Sequence, residues 1–110
     1  MTSDAEEKGR VIKGKIPYRF SAVVWQYGAN GGWHFVSLPK ELAKEIRENL
    51  GWQEEGWGRL KAVANVGSSE WDTAIWFDTK MDTYLLPLKA DIRRKENLKA
   101  GSEATLILLI

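Results

Sequence analysis

Six short runs in this chain read as strands, most of them alternating at every second position, and most are bounded by glycine, proline or asparagine. A period of two sends successive side chains to opposite faces of a strand, which holds the chain to sheet architectures with short connections. In Lys15–Gln26, Tyr18, Phe20, Ala22 and Val24 share one face and Arg19, Ser21, Val23 and Trp25 the other. The second face is itself partly apolar, so both faces are expected to be covered. Tyr27–Gly32 is turn-forming, because glycine and Asn30 tolerate positive φ, and Trp33–Leu38 returns as the second arm of a hairpin. Arg59–Val66 puts Leu60, Ala62, Ala64 and Val66 on one face. Glu70–Phe77 alternates Trp71, Thr73, Ile75 and Phe77 against Asp72, Ala74 and Trp76. Thr83–Leu86 is a short strand ended by Pro87, and Glu103–Ile110 is the last.

Two segments follow a helical period instead. In Lys40–Leu50, Leu42, Ile46 and Leu50 recur at four-residue spacing with Ala43 beside them, and charged residues cover the remaining surface. This is an amphipathic helix, with Pro39 suited to its first turn and Gly51 to its end. Lys89–Leu98 is a second short helix, with Ile92 and Leu98 inward beside Ala90 and Gly101 beyond it. The helices sit in a weak internal echo: Val36-Ser-Leu-Pro39, helix, Gly51 against Leu85-Leu-Pro-Leu88, helix, Gly101. The echo suggests two related halves about a pseudo-twofold axis, although common capping signals would give the same likeness.

The expected fold is mainly β: a closed β-barrel of about six strands with two short α-helices, since closure removes exposed strand edges. Residues 1–14 are polar, mixed in charge and aperiodic, and are expected to be a flexible tail ahead of a single barrel domain over residues 15–110. Forty-four per cent of the 110 residues are hydrophobic and six are tryptophan, enough for one core. The strand tryptophans Trp33 and Trp71 are expected to pack inside it. Thr105–Ile110 lacks polar alternation, so either the fold covers both its faces or the outer face meets a second copy in a homodimer.

Sixteen basic side chains against fifteen acidic ones give a net charge of +1 with histidine neutral. No field of that size would gather nucleic acid in bulk, so nucleic acid is not an expected partner. With no cysteine and a single histidine, disulfides, thiolate chemistry and Cys/His metal clusters are excluded, and no metal or cofactor is expected. Met1–Arg10 lacks the apolar core of a signal peptide, and Leu106–Ile110 is too short to span a bilayer. The expectation is a cytoplasmic protein with no membrane partner.

Trp71-Asp-Thr-Ala-Ile75, Tyr84-Leu-Leu-Pro-Leu-Lys-Ala90, Ile92-Arg93, and Gly101 with its apolar strand, together with Trp33-His-Phe-Val-Ser-Leu-Pro39 and the helix after it, resemble the domain of unknown function 1905 family. The resemblance covers roughly residues 16–110. It implies a closed six-stranded barrel with two helices, and no activity. The family often has serine at the position of Ala74 and Gly-Asp at that of Gly101-Ser102. Asn97 stands where a glycine is common, and asparagine also serves as a left-handed helix cap.

Lys89 and Arg93 are four residues apart and share a helix face. With Trp71 and Thr73 on a neighbouring strand, and Tyr84, they would line a barrel mouth suited to a small anionic or aromatic ligand. Arginine offers a planar fork of donors, and lysine a point charge, for carboxylate or phosphate. The plainer reading is a solvated basic face paired with Asp91 and Glu96. Trp52 and Trp57, in a Gly/Glu loop, are hard to bury and are candidates for ligand or partner contact. His34 has no Ser, Cys or Asp at triad-like spacing, and no catalytic residue is assigned. The leading reading is therefore a binding or structural module. The alternative is a nucleic-acid-associated module: the Leu-Pro–helix–Gly pattern is similar to swapped-hairpin barrel transcription regulators, with Arg93, Arg94, Lys95 and Lys99 on phosphates. The third is an enzyme of unknown reaction.

Overall fold

The computed structural model describes residues 15–29 and 32–110, and the expected tail over residues 1–14 lies outside them. The elements are β1 (Pro17–Val23), β2 (Trp25–Gln26), β3 (His34–Ser37), α1 (Lys40–Leu50), β4 (Arg59–Val66), β5 (Ser69–Asp78), β6 (Thr83–Pro87), α2 (Ala90–Lys95) and β7 (Glu103–Leu109). Single 3₁₀ turns at Gly51–Gln53 and Gly56–Gly58 occupy the connection after α1. All pairings are antiparallel, in the order β1-β7-β4-β5-β6-β3-β2.

This corrects the expected six-stranded closed barrel: seven strands form one sheet that curls into a half-barrel. The difference arises at Val24, where the run expected to be one strand divides. Val24 donates its N–H to the Ser102 carbonyl at 2.8 Å and accepts the Gly101 N–H at 2.8 Å, so a turn clasps it where a ladder would continue. Before it, β1 pairs with β7 down to Val23↔Glu103; after it, β2 pairs with β3 through Trp25↔Phe35. The outer face of β1 is also open where coverage was expected: Arg19, Ser21 and Val23 are exposed.

The inner face carries the period-two set: Tyr18, Phe20, Leu60, Ala62, Ala64, Ile75, Leu86, Leu106 and Leu108 are buried, and Ala43, Ile46 and Leu50 of α1 join the same cluster. On β7, Leu109 is buried and Ile107 half-buried. The tryptophans do not fill this core. Trp71 alone of the six belongs to it. Trp33, expected inside, is 68% exposed. It precedes β3, whose inward positions are His34 and Val36, and its ring stacks on outward-facing Phe35 at 6.2 Å.

β3 and β6 pair about a local twofold. Phe35↔Pro87, Val36↔Leu86 and Ser37↔Leu85 are flanked by Leu38 N–H donating to Tyr84 O at 3.0 Å and Leu88 N–H to His34 O at 2.9 Å. Exchanging the strands leaves this pattern unchanged, and each strand enters its helix after the same Leu step. The internal echo in the sequence coincides with this axis. The helix ends differ. Pro39 stands just outside α1, as its N-cap, and not within the first turn. After α2, Asn97 adopts φ +57 and closes a Schellman motif, with Leu98 N–H bonded to Arg93 O and Asn97 N–H to Arg94 O.

Two polar clamps tie the helical segments to the sheet. Beside α2, Glu96 accepts hydrogen bonds from Ser69 Oγ at 2.6 Å and Ser68 Oγ at 3.3 Å, which hold its carboxyl below the usual range. On the α1 side, Tyr84 donates its hydroxyl to Glu54, whose carboxylate also meets Arg47 Nε at 3.4 Å. The Arg47 guanidinium lies 3.8 Å over the Phe77 ring, which packs edge-on against Tyr84 at 5.2 Å. Burial first, then the hydrogen bond to Glu54 and its negative charge, keep the Tyr84 phenol un-ionised well above its ordinary range, and burial does the same for Tyr18.

Two outcomes are expected. Gly67 has φ +57, and a Cβ there would meet Glu96 Oε1 at 2.1 Å; Gly67→Ala should lower unfolding stability by about 1–2 kcal/mol through left-handed strain alone, measured by denaturant titration. Because the folded state raises the tyrosine pKa values, their stabilising contribution is complete below the unfolded value near pH 10 and declines as pH rises past it. Tyr84→Phe should cost about 1–2 kcal/mol at neutral pH and flatten that alkaline decline; an unchanged slope in stability against pH would refute the assignment.

Candidate functional site

At the α2 end of the sheet, a cleft of about 410 Å³ opens between β5, β6 and the segment leading into α2. The alternation of β5 brings Trp71 and Thr73 to it, the step after β6 brings Lys89, one turn of α2 adds Arg93, and β3 adds His34. Four of the sequence candidates, Trp71, Thr73, Lys89 and Arg93, therefore share one wall. Tyr84 is not on it: its hydroxyl is held by Glu54 in the clamp described above. Trp52 and Trp57 also lie elsewhere, 80% and 93% exposed on the connection after α1, with Trp52 Nε1 donating to Asn49 O at 3.2 Å.

The pairing proposed for a solvated basic face is absent among the described residues. Asp91 Oδ1 accepts the Ile92 N–H at 2.9 Å, and Glu96 is taken by Ser68 and Ser69. Neither Lys89 nor Arg93 has a carboxylate within ion-pair distance among the described residues. Arg93 Nε donates to Leu88 O at 3.2 Å, which fixes the guanidinium by one edge and leaves its two terminal amino groups for another acceptor. The Thr73 hydroxyl has only a 3.5 Å contact to Ala74 O. Asp72 is the cleft's acidic member and is exposed at its rim.

Among the described residues, two buried side-chain polar atoms lack a hydrogen-bond partner, Trp71 Nε1 and His34 Nδ1, and both residues line the cleft. Both side chains are 8% exposed. An indole N–H can only donate, whereas an imidazole nitrogen donates or accepts with its tautomer. A buried polar group left unpaired costs about 1–3 kcal/mol, and both of these belong to residues that line the cleft. Chemically, the wall offers donors and positive charge with one rim carboxylate.

His34 was not among the site residues expected from sequence. The signal available was positional: it stands fifty residues before Tyr84, at the equivalent place in the β3–β6 twofold, on an inward position of its strand. Gly32, next to it, is also required by packing, since a Cβ there would meet the Tyr27 carbonyl at 2.1 Å.

Among the described residues, no helix is long and apolar enough to cross a membrane. No curated protein matches the chain. The model of the family described as "Domain of unknown function (DUF1905)" matches residues 20–108, which include every strand pairing around the cleft and all of its lining residues. The chain belongs to the DUF1905 family.

Proposed function

We propose that the protein is a binding module whose α2-end cleft takes a small anion, a carboxylate or phosphate group. The observation that carries this reading is that Trp71 and His34, each with a buried nitrogen unpartnered among the described residues, line the same cleft as Lys89 and Arg93. An anionic oxygen supplies the acceptor that the indole lacks. Arg93, already held by Leu88 O, offers two parallel N–H donors with little further ordering. Lys89 adds a mobile positive charge. The two cations outnumber the cleft's one carboxylate, Asp72, which favours an anion over a cation.

The nucleic-acid reading draws less support. Arg94, Lys95 and Lys99 are exposed, but Arg93 is turned into the cleft by its bond to Leu88 O. The enzymatic reading has one titratable group inside, His34, with no nucleophile bonded to it among the described residues. Trp52 and Trp57 remain a separate proposed contact surface, carried only by their exposure.

Acetate and inorganic phosphate titrated into the protein should move the indole N–H resonance of Trp71, identified by its loss in Trp71→Phe. Arg93→Ala should weaken that response on the order of tenfold, the value of one charge-assisted hydrogen bond. Lys89→Ala should weaken it less. If neither anion moves the Trp71 resonance while the protein stays folded, the reading fails.

A further inference from the structure

The anion cleft shares two lining residues with a second depression on the outer face of the sheet. Trp25, Trp33, Phe35, Trp76, Leu85 and Pro87 line an apolar groove of about 480 Å³, and Trp33 and Pro87 line both it and the cleft. Strand register assembles the groove: Trp25↔Phe35, Phe35↔Pro87 and Trp76↔Leu85 are cross-strand partners, so their side chains stand on one face. Trp33 lies nearly parallel to Phe35, at 13° and 6.2 Å, and Trp25 is 5.1 Å from Phe35 on the other side. The Trp25 indole N–H is already given to Ser37 Oγ at 2.9 Å. Three lining residues nevertheless face water, Tyr27 at 69%, Trp33 at 68% and Trp76 at 37% exposed.

Charge sets the direction of an occupant. The groove's carboxylate is Asp78, which repels an anionic end, while in the cleft Lys89 and Arg93 outnumber the one carboxylate, Asp72, and attract one. A molecule lying over both depressions therefore places its negative end in the cleft and its apolar body on the rings. Flat rings suit a flat partner, because offset stacking maximises contact and aligns the quadrupoles.

We propose that the ligand class is a planar aromatic carboxylate. Its carboxylate meets Arg93, Lys89 and the Trp71 N–H, and its ring lies across Trp33 and Pro87. This rests on the anion-binding reading above and adds the second depression to it.

The test compares acetate, benzoate, naphthoate and the uncharged naphthamide on the wild type, Trp33→Ala and Arg93→Ala, by calorimetry and by the Trp71 indole resonance. Naphthoate should bind the wild type about tenfold more tightly than acetate, with benzoate between them. Trp33→Ala should weaken naphthoate more than acetate and so close the gap between them; Trp33 is largely exposed, so the variant keeps the core intact. Arg93→Ala should weaken all three acids. Equal binding of acetate and naphthoate overturns this inference while the anion reading stands. Silence of the Trp71 resonance to every acid overturns both. Naphthamide binding as tightly as naphthoate overturns the charge assignment. Concentration-dependent dimerisation in sedimentation, abolished by Trp33→Ala, would give the groove to a second copy and overturn the proposal.

Discussion

β3 and β6 are short, and their pairing decides where both helices begin. The ladder from Phe35↔Pro87 to Ser37↔Leu85 is extended at each end by one backbone bond, Leu38 to Tyr84 and Leu88 to His34. Each bond pins the first residue after one strand to the other strand. The chain must then leave for its helix at a fixed point, Lys40 on one side and Ala90 on the other. That delivers α1 onto the core through Ala43, Ile46 and Leu50, and Arg93 of α2 to the cleft beside His34. Without this ladder of three residue pairs the basic residues of α2 would have no fixed relation to the buried indole of Trp71.

The two halves related by that axis treat their buried polar rings differently. Tyr84 and His34 occupy equivalent positions. Tyr84 finds Glu54, itself paired with Arg47, and the group is sealed by Phe77. His34 finds no partner among the described residues, and its neighbour across the cleft, Trp71, finds none either. One half thus spends its polar groups on holding α1 to the sheet. The other leaves two ring nitrogens and two cations unpaired among the described residues around an opening.

The same register that builds the inside also builds the aromatic face outside. Inward His34 and Val36 force Phe35 outward, and Phe35 then collects Trp25, Trp33 and Pro87 around it. An exposed apolar surface beside a cationic cleft is the second respect in which this end of the sheet departs from a simple packed fold.

Local pattern was enough for the mainly β class, for the helix over Lys40–Leu50, and for strands such as Arg59–Val66, since the periods of strand and helix are written in consecutive residues. It also brought Trp71, Thr73, Lys89 and Arg93 under suspicion together. What it could not settle was anything that depends on partners far away in the chain. Val24 divides a run that reads as one strand because Gly101 and Ser102 bind it. Trp33 faces water because it lies just before a strand whose phase is set by Leu86 and Pro87. His34 and Trp71 lack partners, and Tyr84 has one, through neighbours that no spacing rule names. Alternation fixes which side chains share a face. Which face closes, and which polar atom is left unmatched there, follows from long-range hydrogen bonding and packing that exist only once the sheet has formed.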